Sequence, residues 1–421
     1  LYTLKGEYGT ATILGQIDAV TMSQIADMIN SPAFDGEVVM MEDAHAGAGC
    51  PIGTTFVVND KVSPSTVGVD IGCGVDVYQM LDSLHEFERS DIDSLIRKYV
   101  PVGLGKVNRI PTFLFSELDR LTQADRYKYS LRLGVKQDGY QELCRRVGAN
   151  ENRALLSIGS LGQGNHFCEI GTLEHGEYAV TIHTGSRGLG FATAKYHQSV
   201  ATAHMKSLHS VDIKAERDAL KLRHSNGELT GPELGEHIKA IKAPPKVKRN
   251  LEYLEGDLLN QYLYDMYLCQ IYAAINRTQI MEEISLALWK DYRKIASSVH
   301  NYIDPEDGVL RKGAIRAYQG DTVVIPMNRV EGTWICRVLE DCNDRHNSLP
   351  HGAGRTMSRS AAKDQTTQVQ ADAEMVKADV FSSNNPRDEG TKSYKDPELI
   401  WDSIGNYVDV VDKVTPVLNI K

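Results

Sequence analysis

The chain has little of what would tie it together covalently or carry it into a membrane. Of its 421 residues only Cys50, Cys73, Cys144, Cys168, Cys269, Cys336 and Cys342 are cysteine. Their number is odd, they are scattered, and no two form a Cys-x-x-Cys pair. This argues against a disulfide framework and for a reducing compartment. No apolar run approaches the roughly 20 residues that a membrane-spanning helix needs, and no basic-then-apolar leader opens the sequence. A cytoplasmic location without membrane contact is therefore expected. Positive charge is in deficit: 46 Lys and Arg against 56 Asp and Glu give a net charge of −10. Such a chain is not drawn to nucleic acid by its global field; if it binds a phosphate chain, a local basic cluster must do so. What remains, 42% apolar and 24% charged residues, is the composition of an ordinary globular protein. There is no internal repeat and no low-complexity tract.

Glycine and proline are also missing between Asp257 and Asp304, where Leu258, Tyr262, Met266, Cys269 and Ala273 recur at helical spacing. One or two long buried helices are predicted there. Residues 84–99 read as a helix ending before Pro101. The glycine-punctuated pieces "EVVMMEDAHAG", "GTTFVV" and "VGVDIGCGVDVYQM", and later "EYAVTIHTGSRGLG", "DTVVIP" and "GTWICRVLE", read as strands. Residues 211–250 are charged and contain Pro244-Pro245, the mark of a variable insertion or surface excursion.

Against this background, metal-binding side chains gather beside glycines or at element ends, where sites tend to lie. Asp70 and Cys73 share one glycine turn; "GQGNHFCEI" holds Asn165, His166 and Glu169; "VTIHTGSRG" holds His183; His300 follows the long apolar stretch; "MEDAHAGAG" holds Asp43 and His45. Each alone could be a core or turn residue. Together they offer a thiolate, carboxylates and imidazoles, a set suited to Mn, Fe, Co or Zn rather than to an all-oxygen magnesium cage. In "PHGAGRTMSR", His351 precedes Gly352, Ala353 and Gly354, whose slight side chains let a ligand approach the backbone. Arg355 and Arg359 are four apart, so on a helix they would share a face and could grip a phosphate by forked hydrogen bonds.

These motifs, in this order, resemble the RtcB family of RNA ligases from about Met41 to Lys421. "VGVDIGCGVD" is similar to the family's VGxDIxCG, "GSLGQGNHFCEI" to GxLGxGNHFIE, "IHTGSRGLG" to HSGSRG, "LRKGAIRA" to VRKGA, and "SLPHGAGRTMSRSAAK" to SHGAGRxMSRxxAK. The resemblance implies one α+β domain over residues 1–421, with mixed sheets packed together and flanking helices. It implies an enzyme that uses GTP and two Mn²⁺ ions to join 3′-phosphate or 2′,3′-cyclic phosphate RNA ends to 5′-hydroxyl ends. Its substrate would be broken or spliced tRNA, and an archease-like activator is a possible partner. Cys73 would bridge the metals, with Asp70, His166, His183 and His300 completing their ligands. His351 would take GMP from GTP, oriented by Asp43. Asn165, His166, Phe167, Cys168, Glu169, His300, Asn301, Pro326, Asn328, Thr333, His351, Gly352, Ala353, Gly354, Tyr394 and Lys421 would line the nucleotide, with Glu169 reading guanine. Arg187, Lys312, Arg355 and Arg359 would meet phosphates.

Two departures stand out. Glu42 replaces the proline of the family's MPDVH, and the family's PGSMG loop reads "PMNRVEGT", with Asn328 and Arg329 where small residues are expected. The altered loop motivates an alternative outcome: an enzyme that guanylylates 3′-phosphate ends, or opens cyclic phosphates, without sealing, including on DNA.

Overall fold

The computed structural model describes residues 1–103, 139–240 and 247–421. Among them, seven strands form an antiparallel sheet in the order Tyr292–Val299, Gly74–Met80, Tyr178–Thr184, Phe167–Thr172, Val408–Ile420, Gly332–Val338 and Thr322–Asn328. The central strands are rich in β-branched and aromatic residues and are buried on both faces. On one face, Tyr78, Val180, Ile182, Cys168 and Ile170 pack against Ile280, Met281 and Ile284 of the helix Gly256–Leu288. On the other, Val75, Val77 and Ala179 meet Val324, Ile335 and Val414 of the same sheet. The sheet therefore curls until its two edge strands meet, and the Val324 amide donates to Ser298 Oγ at 2.8 Å.

A second sheet has six strands, in the order Tyr2–Lys5, Thr10–Ile13, Glu37–His45, Ile52–Val57, Val309–Lys312 and Asn301–Ile303. Only the pairing of Thr10–Ile13 with Glu37–His45 is parallel, so this sheet is mixed. The expectation of an α+β fold with mixed sheets holds in outline, and the seven-stranded sheet departs from it in being antiparallel throughout. No helix among the described residues is long and apolar enough to cross a membrane.

Three local expectations change. The glycine-free stretch is helical only to Leu288, where Trp289 turns left-handed at φ 54° and closes the helix. Tyr292–Val299 then pairs with Gly74–Met80; the sheet edge captures a segment that carries no helix breaker. His300 consequently lies between two strands rather than at a helix end. The helix expected from residue 84 begins at Arg89. In residues 211–250, the helix Arg187–Ser225 runs on into the segment and a second helix, Gly231–Ala240, follows. Thr230 and Glu233 bond reciprocally at the start of that second helix. Pro244 and Pro245 lie outside the described residues.

Candidate active site

Strand register explains the first cluster. Val75 pairs with His183, Phe167 pairs with His183, and Gly74 pairs with Val299, so Cys73, His166, His183 and His300 all emerge at one end of the seven-stranded sheet. Cys73 Sγ lies 3.2 Å from His183 Nε2 and 3.5 Å from His166 Nε2. His183 and His300 bring their Nε2 atoms to 3.2 Å, and His166 Nε2 is 2.8 Å from Asp70 Oδ2. Two groups of donors result, Cys73 with His183 and His300, and Asp70 with Cys73 and His166, sharing the one sulfur. Arg277 Nη1 stitches the two sides together through the carbonyls of Gly72 and Thr184. Gly185 is required, because a Cβ there would stand 2.2 Å from Asp70 Oδ1.

The electrostatics suit a cation. Burial, and then neighbouring positive charge, holds His183 and His300 well below the usual imidazole range, so both favour the neutral form that can bind a metal ion. Burial also pushes the Cys73 thiol up, with Asp70 adding to the effect; a bound metal would reverse that. Burial, the largest influence, would raise Asp70 too, but His166, Cys73 and His300 together outweigh it and bring the carboxyl down to about 2. One thiolate, one carboxylate and three imidazoles, with convergent donor atoms, fit a pair of borderline transition-metal ions.

His351 follows the short strand Ser348–Pro350, whose partner Ala314–Arg316 is preceded by Gly313; the Gly313 amide donates to the His300 carbonyl. This chain of contacts sets the His351 ring 4.9 Å from that of His300. Its Nδ1 is 2.8 Å from Oδ2 of Asp43, a wholly buried residue on the strand Glu37–His45. The carboxylate fixes the tautomer and leaves Nε2 with its lone pair. The turn after His351 is compressed: a Cβ on Gly352 would lie 2.7 Å from the Pro326 carbonyl oxygen, and one on Gly354, at φ 70°, would lie 2.6 Å from that of Asp43. Glu42, where the family has proline, makes a buried ion pair with Arg345 at 2.8 Å.

His351, Gly352, Ala353 and Gly354 form one wall of a cavity of about 330 Å³. Asn165, Phe167, Glu169, His183, Pro326, Asn328, Thr333, Tyr394 and Lys421 line it as well. Glu169 is 2% exposed, accepts from Asn419 Nδ2 at 3.2 Å, and has no hydrogen-bond partner for Oε1 among the described residues. Burial lifts its carboxyl to about 8, opposed by Asn419 and Arg329. Around Glu389, also 2% exposed, gather Lys421 at 2.7 Å, Tyr394 at 2.5 Å, Arg359, and Arg355 at 3.8 Å. Burial would raise Glu389, yet the cations, Lys421 first, bring it to about 2. Burial lowers Lys421 to about 8 despite its partner.

Some expected positions lie elsewhere. Cys168 points away from the cavity into the helix-covered core, because neighbours on a strand face opposite ways. Asn301 is outside the lining, with its amide on the Asp70 carbonyl. Arg187, left-handed at φ 53°, donates to Ser160 Oγ and the Gly103 carbonyl. Lys312 is buried against the Ala48 carbonyl at 2.5 Å. Arg355 and Arg359 do line the cavity but share no helical face: Arg355 bridges to Tyr394, and the helix Arg359–Gln365 begins at Arg359 after the Ser358 cap. Both are already held by Asp388 or Glu389. Sequence reasoning missed Glu389, Asn419 and Arg277, and noted Arg329 only as an oddity. Nothing in "RDEG" distinguishes Glu389 from its charged neighbours.

A carboxylate-backed histidine lies between two groups of side chains that could hold a metal ion and a partly open cavity, the kind of constellation an enzyme's active site presents. The family model described as tRNA-splicing ligase RtcB matches residues 24–421, and the chain belongs to that family, one of RNA ligases. It is similar to the RNA-splicing ligase RtcB of Escherichia coli (strain K12), with 25% identity over 96% of this chain and 95% of that one. It is similar too to the tRNA-splicing ligases RtcB of Aeropyrum pernix, with 24% identity over 90% and 86%, and Thermococcus kodakarensis, with 26% over 81% and 77%.

Proposed function

We propose that this protein is a GTP- and Mn²⁺-dependent RNA ligase that joins 3′-phosphate or 2′,3′-cyclic phosphate ends to 5′-hydroxyl ends, in tRNA splicing or RNA repair. The observation that carries this is His351, held at Nδ1 by buried Asp43 and presented beside the metal-donor group at the cavity wall. Asp70, Cys73 and His166 would hold one Mn²⁺ and Cys73, His183 and His300 the other; when bound, the ions supply positive charge for the triphosphate and its leaving oxygens. His351 Nε2 attacks the α-phosphorus of GTP, the bond to the β-phosphate oxygen breaks, and pyrophosphate leaves. The positive charge that develops on the ring is balanced by Asp43 across Nδ1–H. An RNA 3′-phosphate oxygen then displaces His351 and forms an RNA 3′-pp-G end. The 5′-hydroxyl displaces GMP and seals the strand. A cyclic end is first opened by water to the 3′-phosphate.

Gly352 to Gly354 let the nucleotide lie on the backbone, and Glu169 accepts from the guanine N–H groups. Asn165, Phe167, Pro326, Asn328, Thr333, Tyr394 and Lys421 shape the rest of the pocket. Of the four basic residues assigned to phosphate, Arg355 and Arg359 are favoured by their place on the cavity wall. We read residues 211–250 as an insertion peripheral to one ligase domain. An archease-like activator and a cytoplasmic setting complete the proposal. The test is incubation with GTP, Mn²⁺ and RNA of defined ends. A product of summed length supports ligation. A 3′-guanylylated but unsealed strand supports the end-capping alternative, and unchanged RNA refutes both.

A further inference from the structure

Arg329 stands in the loop that departs from the family pattern, and it is not a surface residue. It is 7% exposed and lines the cavity, and its side chain is spent on three neutral partners rather than on a carboxylate. Nε donates to Asn419 Oδ1 at 3.1 Å, and Nη2 donates to Ser382 Oγ at 3.0 Å and Asn385 Oδ1 at 2.8 Å. Asn419 in turn donates from Nδ2 to Glu169 Oε2 at 3.2 Å.

The order of atoms in this string is forced. A guanidinium has donors and no acceptor, so the end of the Asn419 amide that faces it must be the oxygen. The amino end must then face Glu169, which receives it as an acceptor. Were the amide reversed, its oxygen would face Glu169, and only a protonated acid could satisfy that contact. The amide's orientation thus decides whether Oε2 meets a donor, which favours the carboxylate, or an acceptor, which only the protonated acid could satisfy.

We propose that Arg329 is a specificity-determining positioning residue: by fixing the Asn419 amide it presents Glu169 to the cavity as a hydrogen-bond acceptor, and so selects guanine over adenine. The inference rests on the reading of Glu169 as the base-recognising group. Guanine turns two adjacent donors, the ring N–H and the exocyclic amine, toward such a carboxylate. Adenine turns an unprotonated ring nitrogen, an acceptor, which an acceptor repels and a protonated acid would accommodate. Burial favours the protonated acid at Glu169 and lifts its carboxyl to about 8; the amino group of Asn419 and the charge of Arg329 both oppose it, and the two donors of guanine would favour the carboxylate further. Ser382 and Asn385, by anchoring the far end of the guanidinium, keep it directed at Asn419.

The experiment is equilibrium binding with Mn²⁺ present. GTP and ATP compete against a fluorescent GTP analogue on wild type, Arg329→Gln, Arg329→Lys, Asn419→Ala, the Arg329→Gln/Asn419→Ala pair and Glu169→Gln. Wild type should prefer GTP strongly. Arg329→Gln and Asn419→Ala should each lose about tenfold or more of the GTP-over-ATP ratio, the scale of one lost charge-assisted contact. The double variant should lose little beyond either one, since both act through one string. Arg329→Lys, which keeps a donor, should retain most of the ratio. A merely structural role would weaken both nucleotides alike and leave the ratio unchanged, and that result overturns the proposal. If Arg329→Gln does not fold, Asn419→Ala and Arg329→Lys still decide. If Glu169→Gln loses the preference while Asn419→Ala and Arg329→Gln keep it, only the role of Arg329 falls. If wild type shows no preference, the guanine reading falls and takes this inference with it.

Discussion

Cys73 and Glu389 are equally hidden, at 0% and 2% exposure, yet the two ends of the site that they anchor are built by opposite means. Around Cys73 the side chains that emerge from strand ends are mostly neutral, and their donor atoms converge on common points. Around Glu389 the side chains are charged, drawn from three separate stretches, and paired, with cations in excess. The first end is made of side chains that could hold a cation. The second is a salt lattice in which Lys421, Arg355 and Arg359 share the carboxylates of Glu389 and Asp388. The first hinges on one shared sulfur; the second spreads its load over several partners.

Substitutions can sharpen that contrast. The largest effect is expected at the junction of the two ends. His351→Ala should abolish the covalent nucleotide formed with α-labelled GTP and Mn²⁺, and the wild-type adduct should resist alkali and break in acid, as a phosphoramidate does. Asp43→Asn should slow its formation by about 10² to 10⁴-fold, the usual range for a lost proton-managing partner. Label that persists in His351→Ala, or that maps to a lysine, would place the nucleophile elsewhere.

At the metal end, Cys73→Ala removes the atom common to both donor groups. Elemental analysis after dialysis should show loss of bound Mn²⁺ rather than retention of half; unaltered Mn²⁺ affinity would break the bridging assignment.

At the charged end, Glu389→Gln leaves Lys421 and Arg359 without their shared carboxylate. A cost of about 3 kcal/mol in denaturant unfolding is expected, since breaking a buried pair strands a charge. Because the lattice has other members, the variant should still fold and take up metal.

A fourth effect is a pH dependence in nucleotide-free protein. The Glu169 carboxyl rises from 4.5 to about 8 on folding, through burial. The folded state therefore holds the proton more tightly, and this group's stabilising contribution is complete below 4.5 and is lost as pH rises through 8. Thermal melts should fall across that window, and Glu169→Gln should flatten the fall.

The smallest effect is expected from Cys168→Ala, on the core side of the same strand. Its thiol makes no contact with the cavity, so nucleotide binding should be unchanged, at a stability cost of about 1 kcal/mol for a small buried side chain.

The contrast also explains what could be read in advance. Asp70, Cys73, His166 and His183 stood out because each lies in a short segment where glycine frees the backbone beside a metal-binding side chain, and His300 because it follows the long apolar stretch. Strand register then had to bring them together, and it did. The α+β fold was expected from the family resemblance, with strand-like and helix-like segments visible beside it. Glu389, Asn419 and Arg329 left no comparable trace, because a charge or amide acquires its role only from long-range partners. Tyr292–Val299 was misjudged for a related reason: without a breaker, its strand character is decided by the vacant edge of Gly74–Met80. Arg355 and Arg359 were grouped correctly but for the wrong local geometry, since Arg355 bonds across to Tyr394 before the helix begins.

The glycine turn behind His351 has a further consequence. It is wedged between the carbonyl oxygens of Pro326 and Asp43, main-chain atoms that every amino acid carries. Replacing a side chain in the 326–333 loop leaves such a wedge where it was. Side chains of that loop can therefore change the lining of the cavity while the histidine keeps its station.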